Sequence, residues 1–344
     1  MEMTRRDALR ALGLGSVALA GTRGRAVAAE GRALSVNLLG SALGTHIPGV
    51  AALLDGLPAM PGYAAPRITR LEQVRTLTQT LVAGAAEIGE TDPITVFRAV
   101  ESGADLRIIG NVYVNTSHVF VANADRVQEF KDLEKPGVTV AVNGRGVVSH
   151  VMLVGPLLKR GVDLKKVTLV EIGSSGARTR ALLSKRVDAV PMHFDQAAQV
   201  AKQGNFKVLL EPWKEYRTWI HEVWAVPGAW LQAPANQRVA VDLLKATLTA
   251  FRRANTDFAW YAEKYRKHAT LPKAAEATDD ELRPLWQRLS QEVKAWPASG
   301  GFTVEAFQEL LPVYKAADAV AGTVKVEQVV DTSYVERALK ELGG

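Results

Sequence analysis

The chain contains no cysteine among its 344 residues. That excludes disulfides, thiolate metal sites and cysteine nucleophiles, and a chain of this length builds a core large enough to stand without staples. Long apolar runs are also missing. The run at residues 11–21 is too short to cross a bilayer of about 30 Å as a helix. Histidine is sparse, and the six residues at 46, 118, 150, 193, 221 and 268 show no pairing at metal-ligand spacing. There is no HExxH and no lysine closing a glycine-rich phosphate loop. Gly13-x-Gly15 sits in the N-terminal segment rather than between a strand and a helix, and Gly173-Ser174-Ser175-Gly176 lacks the spacing of a nucleophile elbow. These absences leave no catalytic residue, metal or cofactor to name and turn the reading away from hydrolases and metalloenzymes.

What is present is ordinary globular composition, 47% hydrophobic and 23% charged, at a length suited to two domains. Residues 1–29 are set apart. A basic start precedes the apolar run, and Ala26-Val27-Ala28 supplies a small-x-small cleavage site. The adjacent Arg5 and Arg6, after Thr4 and before Leu9, resemble a twin-arginine export signal, and Arg23 and Arg25 fit that route better than the general secretory one. An ordinary signal peptide or a retained anchor is the alternative. Setting this segment aside removes five arginines and two acids, which lowers the formal charge from +6 to +3. A mature charge of +3 without a basic cluster is weak evidence for a nucleic-acid or membrane partner, so no nucleic acid is expected, and it remains compatible with attracting a small anion.

Beyond the signal, strand-like and helix-like segments alternate. Strands are expected at residues 33–39, 66–71, 86–89, 106–114, 138–142, 167–172, 187–192, 206–210 and 221–226, with an extended segment at 115–123. Helices fall between them, as at 73–83, where Val74, Leu77, Leu81 and Val82 share one face. From residue 235 the pattern is helical to the end. Such alternation predicts an α/β class with largely parallel sheets, in two blocks followed by a helical tail.

Ligands of open parallel sheets sit at the carboxyl ends of the strands, and here those ends are polar or glycine-rich. At 144–148 the glycines permit a tight turn, and the helix that follows presents unpaired N–H groups and the positive end of its dipole. This suits a sulfonate, carboxylate or nitrate-like group, with Arg145 as an added charged donor. A plain strand-to-helix connection with Arg145 in solvent is the competing reading.

Three segments in order carry a resemblance. LVAGAAEIGETDP keeps Gly84, Gly89 and Asp92; LEKPGVTVAVNGRGVVSH keeps Asp132, Leu133, Gly137, Gly146 and His150; ALLSKRVDAVPMHFD keeps Val187, Asp188 and Ala189 with Asp195 following. With them the chain resembles the solute-binding proteins of ABC importers, in the nitrate, sulfonate, taurine and thiamine-pyrimidine group. The resemblance implies an α/β periplasmic binding protein fold of type 2. It has two lobes, each a mixed, mostly parallel sheet flanked by helices, with C-terminal helices packed mainly on the first. Lobe 1 is then residues 30–122 plus 223–344 and lobe 2 residues 123–222, with 117–123 as the first crossing strand and 221–226 as the return. The implied function is periplasmic capture of a small organic anion, a sulfonate or an aromatic or other carboxylate. The implied partners are that small-molecule ligand and an ABC permease in the inner membrane, with the binding protein itself a monomer. An enzyme on the same fold acting on a pyrimidine or carboxylate, or a receptor for a sensor or another transporter, is the alternative.

Val147 and Val148 stand where many such proteins carry hydroxyl residues, which favours a ligand with a larger apolar part, and Lys185 replaces a usual glycine. Arg145, Gly146 and Val147 are the first candidates for the ligand head, with Ser149 in the helix turn that follows. Ser41 and His46 face them from the first strand end, although His46 equally suits a helix start. Thr91 and Asp92 are acceptors for a ligand donor, and Asp92 before Pro93 is also a good helix cap. Asn115 and Thr116 lie beside the crossing. His193 and Asp195 face the cleft from lobe 2, unless Asp195 caps its helix. Trp213, Trp219, Trp224 and Trp230 crowd the return strand, where they stack on a ligand or pack the core.

Overall fold

The fold is built by one wiring rule used twice. In the computed structural model, which describes residues 31–343 apart from 41, 173 and 174 (and the side chain of 195), β1 (Ser35–Leu39), β2 (Arg67–Leu71), β3 (Ile88–Thr91) and β4 (Leu106–Val114) run parallel in one sheet. The order is β2-β1-β3-β10-β4, where β10 (Ile220–Pro227) returns antiparallel between β3 and β4. The second sheet repeats the order. In it β6 (Thr139–Val142), β7 (Thr168–Glu171), β8 (Ala189–His193) and β9 (Phe206–Leu210) run one way, and β5 (His118–Asn123) is the antiparallel insert between β8 and β9. The signal-peptide and export-route expectations, and Ser41, lie outside the described residues. Among those residues, no helix is long and apolar enough to cross a membrane.

Each insert is the first strand formed after the chain changes sheet. β5 pairs wholly within the second sheet and β10 wholly within the first. The segments 115–117 and 211–219 connect the two sheets, as β4 to β5 and as β9 to β10. Asn115 holds them together, with its N–H donating to the Trp219 carbonyl (2.6 Å) and its side-chain oxygen accepting from the Trp219 N–H (3.0 Å).

Local sequence explains the main elements. β4 is buried along nearly its whole length, which is why LRIIGNVYV reads as an almost unbroken apolar run. β2 is an edge strand and carries charged, exposed residues that discourage further pairing. α2 (Val74–Val82) sets Leu77 and Leu81 into the core. α3 (Pro93–Glu101) opens with Asp92, whose carboxylate accepts from the Thr95 N–H at 2.8 Å, and with proline at the first position.

α1 (Ile47–Ala51) follows β1. In the second lobe come α4 (Val148–Lys159), α5 (Ser175–Leu183) and α6 (Phe194–Val200). The tail comprises α7 (Pro234–Thr256), α8 (Phe258–His268), α9 (Asp279–Gln287), α10 (Val304–Ala316) and α11 (Ser333–Glu341). α7, α8 and α11 pack on the first lobe, whereas α10 also packs on α4 of the second. Phe97 of α3 meets Phe307 and Tyr314 of α10, and Tyr314 meets Trp219 of the crossing, so α10 spans both lobes.

Candidate functional site

A cavity of about 250 Å³ lies where the carboxyl ends of both sheets meet. Its polar wall is Thr45 after β1, Ser117 in the crossing, Ser175 at the start of α5, His193 at the end of β8 and Gln196 in α6. The apolar wall is Leu43 and Phe194 together with Tyr265, Leu271, Leu285 and Leu289 of the helical tail. The lining among the described residues includes no lysine or arginine. Gly44 belongs here for a steric reason: a Cβ there would stand 2.8 Å from the Tyr261 hydroxyl and 3.1 Å from Leu285 and Leu289. The polar wall is internally tied. Ser117 Oγ lies 2.7 Å from His193 Nδ1, the Ser175 hydroxyl donates to Gln196 Oε1 (2.8 Å), and the same oxygen accepts from the His193 N–H (3.1 Å). A groove of about 740 Å³ shares Phe194, Tyr265, Leu271 and Leu285 with the cavity and adds Lys273 and Arg288. Another of about 560 Å³, between α2 and α3, contains no residue of the second lobe.

Behind the cavity runs a ribbon of rings. His193 lies 4.2 Å from His118 between centroids, His118 5.8 Å from His221, His221 5.2 Å from Tyr113, and Tyr113 4.9 Å from His46. Two of the histidines belong to the second sheet and two to the first lobe, so the ribbon bridges the crossing. Burial holds His118 well below the ordinary imidazole range, helped by His193, His221 and Arg178. Burial, then His46 and His193, push His221 down to about 3. The Trp219 indole N–H donates to His221 Nδ1 at 3.2 Å.

At its inner end the ribbon meets a buried acid pair. Glu90 is pushed up to about 8 by burial and by the charge of Glu222, and burial raises Glu222 to about 7. The pair therefore retains a proton near neutral pH, as two adjacent carboxyls in a dry site must. His46 Nε2 stands 3.1 Å from Glu222 and 3.9 Å from Glu90. The spacing of these three side chains suits a metal ion. The Leu43 N–H donates to His46 Nδ1 (3.2 Å), with the Thr45 hydroxyl 3.3 Å from the same nitrogen, which turns Nε2 toward the carboxylates. Glu90 Oε1 and Glu222 Oε2, the carboxylate oxygens nearest that nitrogen, are buried without a hydrogen-bond partner.

Residues 68–255, more than half the chain, match the family described as NMT1/THI5 like. The chain belongs to the NMT1/THI5-like family. Three solved structures show what the fold of this family member is similar to. The periplasmic nitrate-binding protein NrtA from Synechocystis PCC 6803 gives a TM-score of 0.70 at 13% identity, over 91% of this chain and 89% of its own. The ligand-binding component of an ABC-type import system from Staphylococcus aureus, with zinc bound, gives 0.69 at 13%, over 89% and 99%. The alkanesulfonate-binding protein SsuA from Xanthomonas axonopodis pv. citri, bound to MOPS, gives 0.64 at 16%, over 89% and 100%. These likenesses establish the two-lobed periplasmic binding protein fold. No curated protein matches the sequence.

Within this NMT1/THI5-like chain the sequence candidates separate into groups. Of the described candidates, His193 lines the cavity, and His46 lies behind it in the ribbon. Thr116 bonds His118 Nδ1 at 2.8 Å, one step from the wall. Thr91 is buried in a hydroxyl cluster with Thr78 (2.8 Å) and Thr95 (3.1 Å), and Asp92 caps α3. Asn115 adopts a left-handed conformation (φ 58°) and donates to the Val293 carbonyl at 2.7 Å. Asp195 lies in α6.

The loop expected to grip the ligand head stands elsewhere. Arg145 is exposed beside Glu171 (3.7 Å) and the Leu169 carbonyl. The Gly146 N–H donates to His150 Nδ1 (3.0 Å), and its carbonyl accepts from Arg98 of the first lobe (3.3 Å). Ser149 caps the turn through Asn143, and Val147 is the half-buried residue preceding α4. None of these four lines the cavity. Trp219 and Trp224 are fully buried, and none of the four tryptophans lines the cavity either. Ser117, Ser175 and Gln196 on the wall, and His118, His221 and the Glu90–Glu222 pair behind it, were not among the residues singled out from the sequence. The signal for the last lay in GETDP and HEVW, where an acid interrupts a strand otherwise apolar enough to be buried.

Proposed function

We propose that this protein is the solute-binding component of an ABC importer, which captures a small organic acid with an apolar body between its lobes and delivers it to a membrane permease. The observation that carries the reading is the cavity itself, at the meeting of two sheet ends, with hydroxyls and an imidazole on one wall and leucines and rings on the other. At about 250 Å³ it lies just below the roughly 300–1,000 Å³ of drug-sized sites, which suits a small solute. A polar head facing Thr45, Ser117 and Ser175 leaves the apolar body against Leu271, Leu285 and Leu289. Export to the periplasm through the twin-arginine signal, work as a monomer, and lobes divided at the two crossings belong to the same proposal.

The test is a thermal-shift panel of alkanesulfonates, aromatic carboxylates and pyrimidines on the purified protein, followed by mass spectrometry of the bound solute. Binding predicts a rise in Tm and recovery of the solute unchanged. One observation favours the enzymatic alternative, the 2.7 Å contact between Ser117 Oγ and His193 Nδ1. Conversion of the bound solute to a product would establish that reading in place of transport.

A further inference from the structure

We propose that His46, Glu90 and Glu222 form a binding site for one first-row divalent cation, zinc or manganese, in the first lobe behind the solute cavity. The three residues converge from neighbouring strands. Glu90 lies on β3, Glu222 on β10 and His46 in the segment after β1, and β1, β3 and β10 stand side by side in the sheet. Their ligand atoms all lie within 4.8 Å of one another. A cation about 2.0–2.2 Å from each ligand sets them about 3.4 Å apart in tetrahedral geometry. His46 Nε2 stands 3.1 Å from Glu222 Oε2 and 3.9 Å from Glu90 Oε1, on either side of that spacing.

The atoms that converge are not satisfied by one another. Glu90 Oε1 and Glu222 Oε2 have no hydrogen-bond partner, on residues only 1% and 6% exposed. The 3.1 Å approach of Nε2 leaves Glu222 Oε2 unpartnered because it lies off the direction a ring N–H would take. Among the described residues, both carboxylates have His46 as their ion-pair partner, with no lysine or arginine in reach. Two buried acids without a cation are costly. A proton shared by the pair relieves one of them. A divalent cation relieves both, and it also uses the imidazole, which a proton between two carboxyls does not need.

The surrounding contacts orient these ligands as a metal site requires. The Leu39 N–H holds Glu90 by its other oxygen, Oε2 (3.0 Å), and the Tyr113 hydroxyl bonds Glu222. Coordination through Nε2 puts the imidazole proton on Nδ1. There the Thr45 hydroxyl oxygen, 3.3 Å away, accepts it in exchange for the 3.2 Å bond from the Leu43 N–H. One imidazole with two carboxylates suits zinc or manganese, whereas magnesium and calcium take oxygen ligands. Leu43 and Thr45 also line the solute cavity, so the cation ties that wall to the sheet beneath it.

The test needs no solute. The full chain, without an affinity tag, is purified from cells grown with added zinc or manganese and compared with the same chain refolded in chelator, since a buried site fills as the chain folds. Plasma mass spectrometry is expected to find about one cation per chain, and the loaded protein to unfold about 5 °C or more above the stripped one. Glu222→Gln should bind the cation at least about tenfold more weakly and lose most of that rise. X-ray absorption of the zinc form should show nitrogen and oxygen ligands with a single imidazole; if Glu222→Gln does not fold, that spectrum decides. Retention of neither cation, with Tm unchanged by chelator, overturns the site and leaves the acid pair to a proton alone. Equal affinity in a folded Glu222→Gln protein, or two or more imidazoles around the zinc, places the cation elsewhere and also overturns it. None of these results bears on whether the cavity binds a solute, which the thermal-shift panel decides separately.

Discussion

At the residue scale the centre of this protein is a set of groups held away from their ordinary charge states. Their shifts have opposite signs, and so have their effects on stability. His118 and His221 are lowered in the folded state, so the stability they contribute is complete above about pH 6.5 and is lost as pH falls toward their folded values. Glu90 and Glu222 are raised, so their contribution is complete below about pH 4.5 and is lost as pH rises through about 7 to 8. Stability of the solute-free protein is therefore expected to peak between these limbs. His221→Phe should shrink the fall in stability between pH 6.5 and 5 by up to about 2 kcal/mol, the bound for one group over that interval. Glu222→Gln removes the like charge beside Glu90 and should raise Tm at pH 8 relative to wild type. A drop in Tm at pH 8, with the pH profile unchanged, would show that the pair does not share a proton. Thermal unfolding across pH measures both. The sequence displayed these residues without displaying their meeting. His46, His118, His193 and His221 are scattered along the chain, and only the pairing of β5 with β8 and of β10 with β4 brings them into one line.

At the scale of elements, the alternation of strands and helices was legible from hydrophobic period and glycine punctuation, because each element buries one face against a neighbour close in sequence. The crossing was less legible. NTSHVFVAN is extended throughout, and nothing local distinguishes Asn115, which turns with φ 58°, from the strand residues after it. Asn115→Ala is expected to destabilise by about 2–3 kcal/mol, since it removes both side-chain bonds to Trp219 and Val293 and places alanine in a left-handed conformation. Asn115→Gly keeps the backbone and should lose less; urea unfolding compares the two. The Gly144–Val147 turn is a second case where local sequence and long-range contacts differ. Its residues suit an anion, but the chain supplies its own partners in His150 and Arg98, and long-range contacts of that kind leave no trace in local sequence.

At the scale of the molecule, two arginines join the lobes on different elements. Arg98 of α3 donates to the carbonyls of Gly146 and Ala319, and Arg288, following α9, lies 4.2 Å from the Phe194 ring and 3.3 Å from Glu211 of the second crossing. Closure on a solute requires that the closed form bind more tightly than the open one. The double variant Arg98→Ala/Arg288→Ala should favour the open form, with a larger radius of gyration by X-ray scattering that returns toward the wild-type value when solute is added. An unchanged radius would show that these contacts do not hold the lobes together. The central claim is that one solute occupies the cavity between the sheets, and calorimetry on a cavity-filling variant tests it most directly. Leu289→Trp is expected to abolish saturable binding of the solute identified by thermal shift, while wild type binds one per chain and returns it unaltered. Equal affinity in a folded Leu289→Trp protein would place the solute elsewhere and contradict the account.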